Sequence, residues 1–272
     1  MMTLPESPLG RLRWAVADTR TLTVRALSHW ARRPGEVAVA LLFPVLVVLM
    51  MGYLFGGQMD MPGGGGGYRE FIMPGMFAMT MLFGIETTFA AVAGDAAKGV
   101  TDRFRAMPTS PPAIIAGRGA ADLLHSTAAL AVMGVCGLLV GWRPHEGAAK
   151  TLAGFGLLLL LRFALLWMGV YLGLVAKGPE SVAAVQTLVW PIGFLSSALV
   201  VPDTMPGWLG AIADWNPMSA TVTACRELFG DSAQTGGSWA AQHSLLLALL
   251  WPLVITAVFF PLAARRYRVM GR

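Results

Sequence analysis

Residues 151–176 read TLAGFGLLLLLRFALLWMGVYLGLVA, a run whose one charged residue is Arg162. At about 1.5 Å of rise per residue, such a helix exceeds the roughly 30 Å of a bilayer's hydrocarbon core. A single span in lipid must satisfy its backbone polar groups internally, so this stretch selects an α-helical membrane protein. Similar apolar runs occur at 37–55, 71–93, 119–140, 182–201 and 243–264. The expected fold is an all-α polytopic membrane protein with six transmembrane helices. Pro44, Pro191 and Pro252 fall inside spans, where neighbouring helices absorb the missing hydrogen bond.

Composition agrees with this reading. The chain is 56% apolar and 13% charged, whereas soluble domains carry about a quarter charged residues. A six-span membrane domain over 37–264 leaves no room in 272 residues for a separate soluble catalytic domain. With the N-terminus inside, fifteen of the 20 Lys and Arg residues fall on inner segments. Only Arg69, Arg143, Lys150 and Arg226 fall on outer ones. The positive-inside rule therefore predicts a multi-pass cell-membrane protein with both termini cytoplasmic. The net charge of +5 follows from that topology and calls for no nucleic-acid partner.

The first 36 residues are polar and Arg-rich, so no cleavable leader is expected there. Leu12, Val16, Thr19, Thr23, Ala26 and Trp30 recur at helical spacing, which predicts a cytoplasmic interfacial helix over 1–36. A basic tail over 265–272 closes the chain. Gly63–Gly67 lack the Gly-Lys-Ser/Thr of a phosphate loop and are expected to form a flexible outer linker. In the outer connection 202–242, Trp208, Leu209, Ile212 and Trp215 share helical spacing, and Ser219–Phe229 resume it after Asn216-Pro217. Two short amphipathic helices are predicted there, dipping into the outer leaflet or lying on it.

Catalytic constellations are missing from the sequence. His145-Glu146 is followed by no second histidine, and no Gly-x-Ser-x-Gly turn occurs. The other histidines, His29, His125 and His243, are scattered, and Cys136 and Cys225 lack metal-ligand spacing and read as free thiols. The charges inside spans are Glu86, Arg162 and Asp122, and charges there are expensive and face partners or cavities. Glu86 and Arg162 differ in depth by about 5 Å at helical rise, which suggests a pair. Two alternatives stand: Glu86 snorkels to the cytoplasm, or Arg162 pairs with Asp122.

Between the second and third spans lies the polar stretch 94–118, GDAAKGVTDRFRAMPTSPPAIIAGR. Thr101-Asp102-Arg103-Phe104-Arg105 has the polarity of a short helix, with an N-cap, an early acid and later bases. Pro108 ends it, and Pro111-Pro112 stiffen the return. Phe104 between two arginines suits an anchor in a partner's groove, and equally an aromatic in the lipid interface.

The string D-x-x-x-G-x-x-D-R-F-R-x-x-P, Asp95 to Pro108, resembles the inner loop of type-2 ABC exporter permeases of the daunorubicin-resistance kind. Gly117-Arg118 and Asp122 continue that pattern. A second resemblance is N-P-x-S/T followed by Arg, here Asn216, Pro217, Ser219 and Arg226. The resemblance implies a homo- or heterodimer of permeases on two cytoplasmic ATPase subunits. It makes Asp95, Gly99, Asp102, Arg103, Phe104, Arg105 and Pro108 the coupling segment that seats in the ATPase. It further implies export of a hydrophobic drug, natural product or lipid, with spans one, two and five near the dimer interface. No Walker A sequence is present, so this chain binds no cofactor, and ATP and Mg are implied on the partner. The Met-rich spans (Met50, Met51, Met73, Met76, Met79, Met81) suit an adaptable apolar path and equally ordinary packing. The competing reading is an ion- or proton-coupled transporter using Glu86 and Arg162.

Overall fold

The computed structural model describes residues 34–55, 64–97, 111–176, 178–231 and 237–269. The described chain is helical: α1 (Pro34–Leu49, continued by a π-helical turn Met50–Phe55), α2 (Gly64–Ala97), α3 (Pro111–Val140) and α4 (Gly147–Val175). These are followed by α5 (Pro179–Phe194), α6 (Gly207–Asp214), α7 (Pro217–Phe229), α8 (Trp239–Gln242) and α9 (Ser244–Val269). Four helices are long and apolar enough to cross a membrane, over Gly67–Ala97, Gly119–Val140, Gly147–Val175 and Ser244–Tyr267. The six predicted spans are thus four clear ones among the described residues. The first predicted span contains only a shorter apolar helix, Leu42–Leu54.

The fifth predicted span is corrected. Its helix stops at Phe194, and 195–201 are irregular rather than helical. Sixteen residues give about 24 Å, short of the roughly 30 Å core. Two other expectations change as well. Gly64–Gly67 form the first turn of α2 instead of a linker, because the long apolar helix behind them supplies the nucleus that a glycine run lacks. Pro111 and Pro112 open α3 rather than stiffening a return, since a proline in the first turn forfeits no helical hydrogen bond. At the other terminus α9 runs through Arg265 and Arg266 to Val269. The interfacial helix predicted over 1–36 lies almost wholly outside the described residues.

Helix α4 is the hub, packed against α9, α2, α7 and α3. Glycines let these helices approach closely. A Cβ on Gly173 would lie 2.7 Å from Val92, and one on Gly154 would press into the Phe229 ring. Met73, Met76, Met79 and Met81 are all buried in the core around α2, so they pack helices and line no open path. Met50, by contrast, is exposed.

Helix α7 is not a surface helix. Ten of its residues, including Val222, Cys225, Arg226 and Phe229, are buried, and it is inserted against α4, α9 and α2. Phe77 of α2, Trp142 of the 141–146 connection, Phe155 of α4 and Phe229 of α7 meet with ring centroids 5.2–6.2 Å apart. That aromatic cluster seals the end of the bundle where the α3–α4 connection and the start of α2 lie. Burial of such rings contributes about 0.5–1.5 kcal/mol per pair beyond their area. Helix α6 keeps Trp208, Ile212 and Trp215 exposed, as its amphipathic spacing predicted.

Candidate functional site

The charge network of the spans

Arg162 is fully buried on α4. Its guanidinium pairs with the Asp122 carboxylate of α3 through Nη2. Nη2 also donates to Thr88 Oγ1 of α2 at 2.6 Å, and Nε donates to Ser126 Oγ at 2.9 Å. Thr88 Oγ1 in turn donates to Asp122 Oδ1 at 2.9 Å. Three helices are thereby joined inside the bilayer-length part of the bundle. The cation fits only because position 84 is glycine: a Cβ there would lie 2.6 Å from Arg162 Cζ. Nη1 has no hydrogen-bond partner among the described residues.

Of the three arrangements open from the sequence, the structure selects Arg162 with Asp122. Glu86 does not join them. Gly84 and Thr88, four residues apart, share the helix face toward α4, which turns Glu86 away from Arg162. Glu86 instead lies beside Gln186 of α5, and its Oε1 is buried with no hydrogen-bond partner among the described residues. The same α2 face carries Phe83, whose ring lies 4.9 Å from Trp190 of α5. Thr88 and Ser126 were missed in the sequence. Their signal was there: Gly84/Thr88 and Asp122/Ser126 each repeat a small or polar residue at one-turn spacing.

The clamp on the broken helix

The Asn216–Arg226 motif acts on the end of α5. Asn216 Oδ1 caps α7 by accepting from the Met218 N–H at 2.9 Å, with Pro217 at the first helical position. Its Nδ2 reaches back and donates to the carbonyls of Ile192 at 2.9 Å and Leu195 at 2.7 Å. Arg226 continues the same task one segment on. It donates to Ser197 O at 2.8 Å, to Ala198 O at 3.3 Å and to Phe71 O of α2 at 3.1 Å, with its guanidinium 3.8 Å over the Phe71 ring. Ser219 Oγ accepts from the Ser197 N–H at 2.9 Å. Irregular backbone at membrane depth persists only where protein satisfies it, and these side chains do so. The segment also rests directly on α2, where a Cβ on Gly75 would overlap the Ala198 carbonyl. The cavity beside Ser197, Ser219, Thr223 and Arg226 holds about one water and is too small for a substrate path.

The remaining candidates

Of the expected coupling residues, only Asp95 at the end of α2 is described. Gly99, Asp102, Arg103, Phe104, Arg105 and Pro108 lie outside the described residues. Cys136 and Cys225 are free, and Cys225 is buried with Sγ donating to Gly154 O. Among the described residues no His, Cys, Asp and Glu are grouped as a metal site. Beside the aromatic cluster, Trp142 Nε1 donates to Asp231 Oδ2 at 3.2 Å. His145 stands between Asp231 and Glu70, with one ring nitrogen 3.9 Å from each carboxylate. Burial raises the Asp231 carboxyl to about 6, with nearby Glu70 adding to the shift, against lowering by the Trp142 hydrogen bond, His145 and Arg226.

These features define an all-α, multi-pass membrane protein whose polar side chains brace helices and form no catalytic cluster among the described residues. Residues 17–229 match the ABC-2 type transporter family, and the chain belongs to it. It is a permease subunit without a nucleotide site of its own, served by a separate ATPase. The chain is 36% identical over 255 residues to the daunorubicin resistance ABC transporter permease protein DrrB1 of Streptomyces coeruleorubidus, covering 93% of this chain and 87% of that one. It is 24% identical over 218 residues to the probable doxorubicin resistance ABC transporter permease protein DrrC of Mycobacterium tuberculosis H37Rv, covering 78% and 76%. With the putative transport permease ycf38 of Cyanophora paradoxa it shares 25% identity over 236 residues, covering 85% and 78%. Family membership displaces the ion-coupled alternative, whose proposed Glu86–Arg162 pair does not form.

Proposed function

We propose that this permease exports a hydrophobic or amphipathic compound (a drug, natural product or lipid) across a bacterial cell membrane, driven by a cytoplasmic ATPase dimer docked on the 94–118 segment. Both termini face the cytoplasm in this reading, as the Lys and Arg distribution supports. The names of the Streptomyces and Mycobacterium relatives support a drug-like cargo. A second permease, the same chain or a homologous one, completes the pore.

The observation that carries the coupling is the continuity of α3. The helix starts at Pro111, just after the proposed docking residues Gly99–Pro108, and reaches Asp122 within about three turns. Asp122 holds Arg162 of α4 and Thr88 of α2. A push on the loop therefore reaches a rigid helix tied to two others in the membrane. Asp95, Gly99, Asp102, Arg103, Phe104, Arg105 and Pro108 form the docking segment, with Phe104 as its anchor.

Co-purification of the permease with its ATPase, comparing wild type with Phe104→Ala and Arg103→Glu, tests the assignment. Losing a central aromatic anchor weakens assembly by about 2 kcal/mol, and ATP-dependent uptake of cargo into inverted vesicles falls with it. Unchanged assembly and export in both variants would remove the docking segment from this reading.

A further inference from the structure

The end of the bundle near the α3–α4 connection carries titratable groups that neither docking nor the charge network uses. They come from three separate parts of the chain. Glu70 lies near the start of α2, His145 on the connection after α3, and Asp231 directly after α7. The His145 ring has Nε2 3.9 Å from Glu70 Oε1 and Nδ1 3.9 Å from Asp231 Oδ1. The backbone follows the same line: the His145 N–H donates to Phe229 O at 2.8 Å. A Cβ on Gly230 would lie 3.0 Å from that of His145, so the two segments touch.

The exposures differ in a way that matters. The Asp231 side chain is 2% exposed, whereas His145 is 53% and Glu70 39% exposed. Asp231 Oδ2 receives the Trp142 N–H, but Oδ1 is buried with no hydrogen-bond partner among the described residues. A neutral imidazole donates from one nitrogen only, so it cannot serve both carboxylates. One added proton changes that. With one proton added to the trio the two carboxylates no longer carry unrelieved negative charge on either side of the ring, and the 3.9 Å gaps are crossed by attraction rather than by formed hydrogen bonds.

We propose that Glu70, His145 and Asp231 form a proton-operated clasp that binds the end of α7 to α2 and the α3–α4 connection when one proton is held, and loosens it when that proton leaves. Because α7 carries Arg226 and Asn216, the clasp sets how firmly the broken end of α5 is held. This end faces outward in the topology proposed above, where an energised cell is more acidic. The clasp goes beyond the export reading and stands without it.

The other charges around the clasp are accounted for. Arg69 of α2 donates to Val140 O at 3.3 Å. Lys150 of α4 is paired with Glu146 at 2.6 Å. Glu227 of α7 accepts from Ser244 Oγ, and Arg226 is committed to its carbonyls. Arg143 is exposed on the connection. The direction of the effect follows from Asp231. Its folded value, about 6, lies above the ordinary 3.8, so the protonated form is the one the fold favours. That stabilisation is complete below the ordinary value and is lost as pH rises through about 6.

Amide hydrogen exchange of the full chain in lipid nanodiscs, corrected for intrinsic rates, reads the clasp at the His145 and Asp231 amides. Wild type gains about fourfold protection from pH 8 to pH 5.5, the gain that one group held at about 6 gives over that interval. Glu70→Gln, which removes a carboxylate that raises Asp231, shrinks that gain, and Asp231→Asn, which keeps an acceptor for Trp142, holds one level throughout. A wild type without pH dependence, or variants that keep its slope, would overturn the clasp. Glu70 is only half-buried, so its variant decides the matter even if the buried Asp231 variant fails to fold. The measurement involves neither ATPase nor cargo, so its failure leaves the export reading untouched, and a failed export assay leaves the clasp untouched.

Discussion

Removing the Asp122 carboxylate should be the most damaging single polar change in the described part of the protein. In Asp122→Ala, Arg162 keeps Thr88 and Ser126 as acceptors but loses its only ion-pair partner among the described residues. The Arg162 side chain is 1% exposed, so water cannot replace the carboxylate. Breaking one partner of a buried pair costs about 3–5 kcal/mol, because the remaining charge stays desolvated. The reverse change, Arg162→Leu, costs less. Asp122 is 15% exposed and retains the Thr88 hydroxyl as donor. In Asp122→Leu/Arg162→Leu neither charge remains, so the double variant is more stable than the sum of the singles by about 2 kcal/mol or more. Reversible unfolding in bicelles measures all three. A cost below about 1 kcal/mol for Asp122→Ala, or strict additivity in the double variant, would refute the claim that this pair braces α2, α3 and α4.

Other expectations follow from the same contacts. Gly75→Ala forces a methyl onto the Ala198 carbonyl and should abolish recovery of monodisperse protein, whereas Gly94→Ala, with open space around its Cβ, should be recovered normally. Arg226→Met leaves the carbonyls of Phe71, Ser197 and Ala198 without their donor. With one to three buried acceptors unserved, unfolding measurements should show a loss of about 3 kcal/mol or more. Asn216→Ala removes the α7 cap and the two bonds to α5, and should cost about 1–2 kcal/mol, with faster amide exchange at Leu195–Val201 as the local signature.

Much of the protein is legible along the chain. The apolar length of 151–176 requires a spanning helix whatever it packs against, because lipid offers no alternative partner for a peptide group. The spacing of Trp208, Ile212 and Trp215 likewise gave a helix with an exposed apolar face. The Asp95–Pro108 string and the Asn216–Arg226 motif identified the family through residues close in sequence. Hydrophobic length failed at 182–201, since apolar residues there are compatible both with a continuing helix and with an irregular segment clamped by protein.

That choice belongs to tertiary structure. The helix ends at Phe194 because Asn216 and Arg226, 21 to 29 residues further on, supply donors for the carbonyls it releases. Arg162 is equally instructive. Its depth limited the partners to Glu86 and Asp122, but the rotation of α2, set by Gly84 packing against α4, turned Glu86 away. The sequence alone determined that segments such as 151–176 enter the membrane, because solvation of each segment is a local property. Only the packed bundle decided which buried charges meet and where a helix breaks, because those depend on rotation and on donors carried by distant segments.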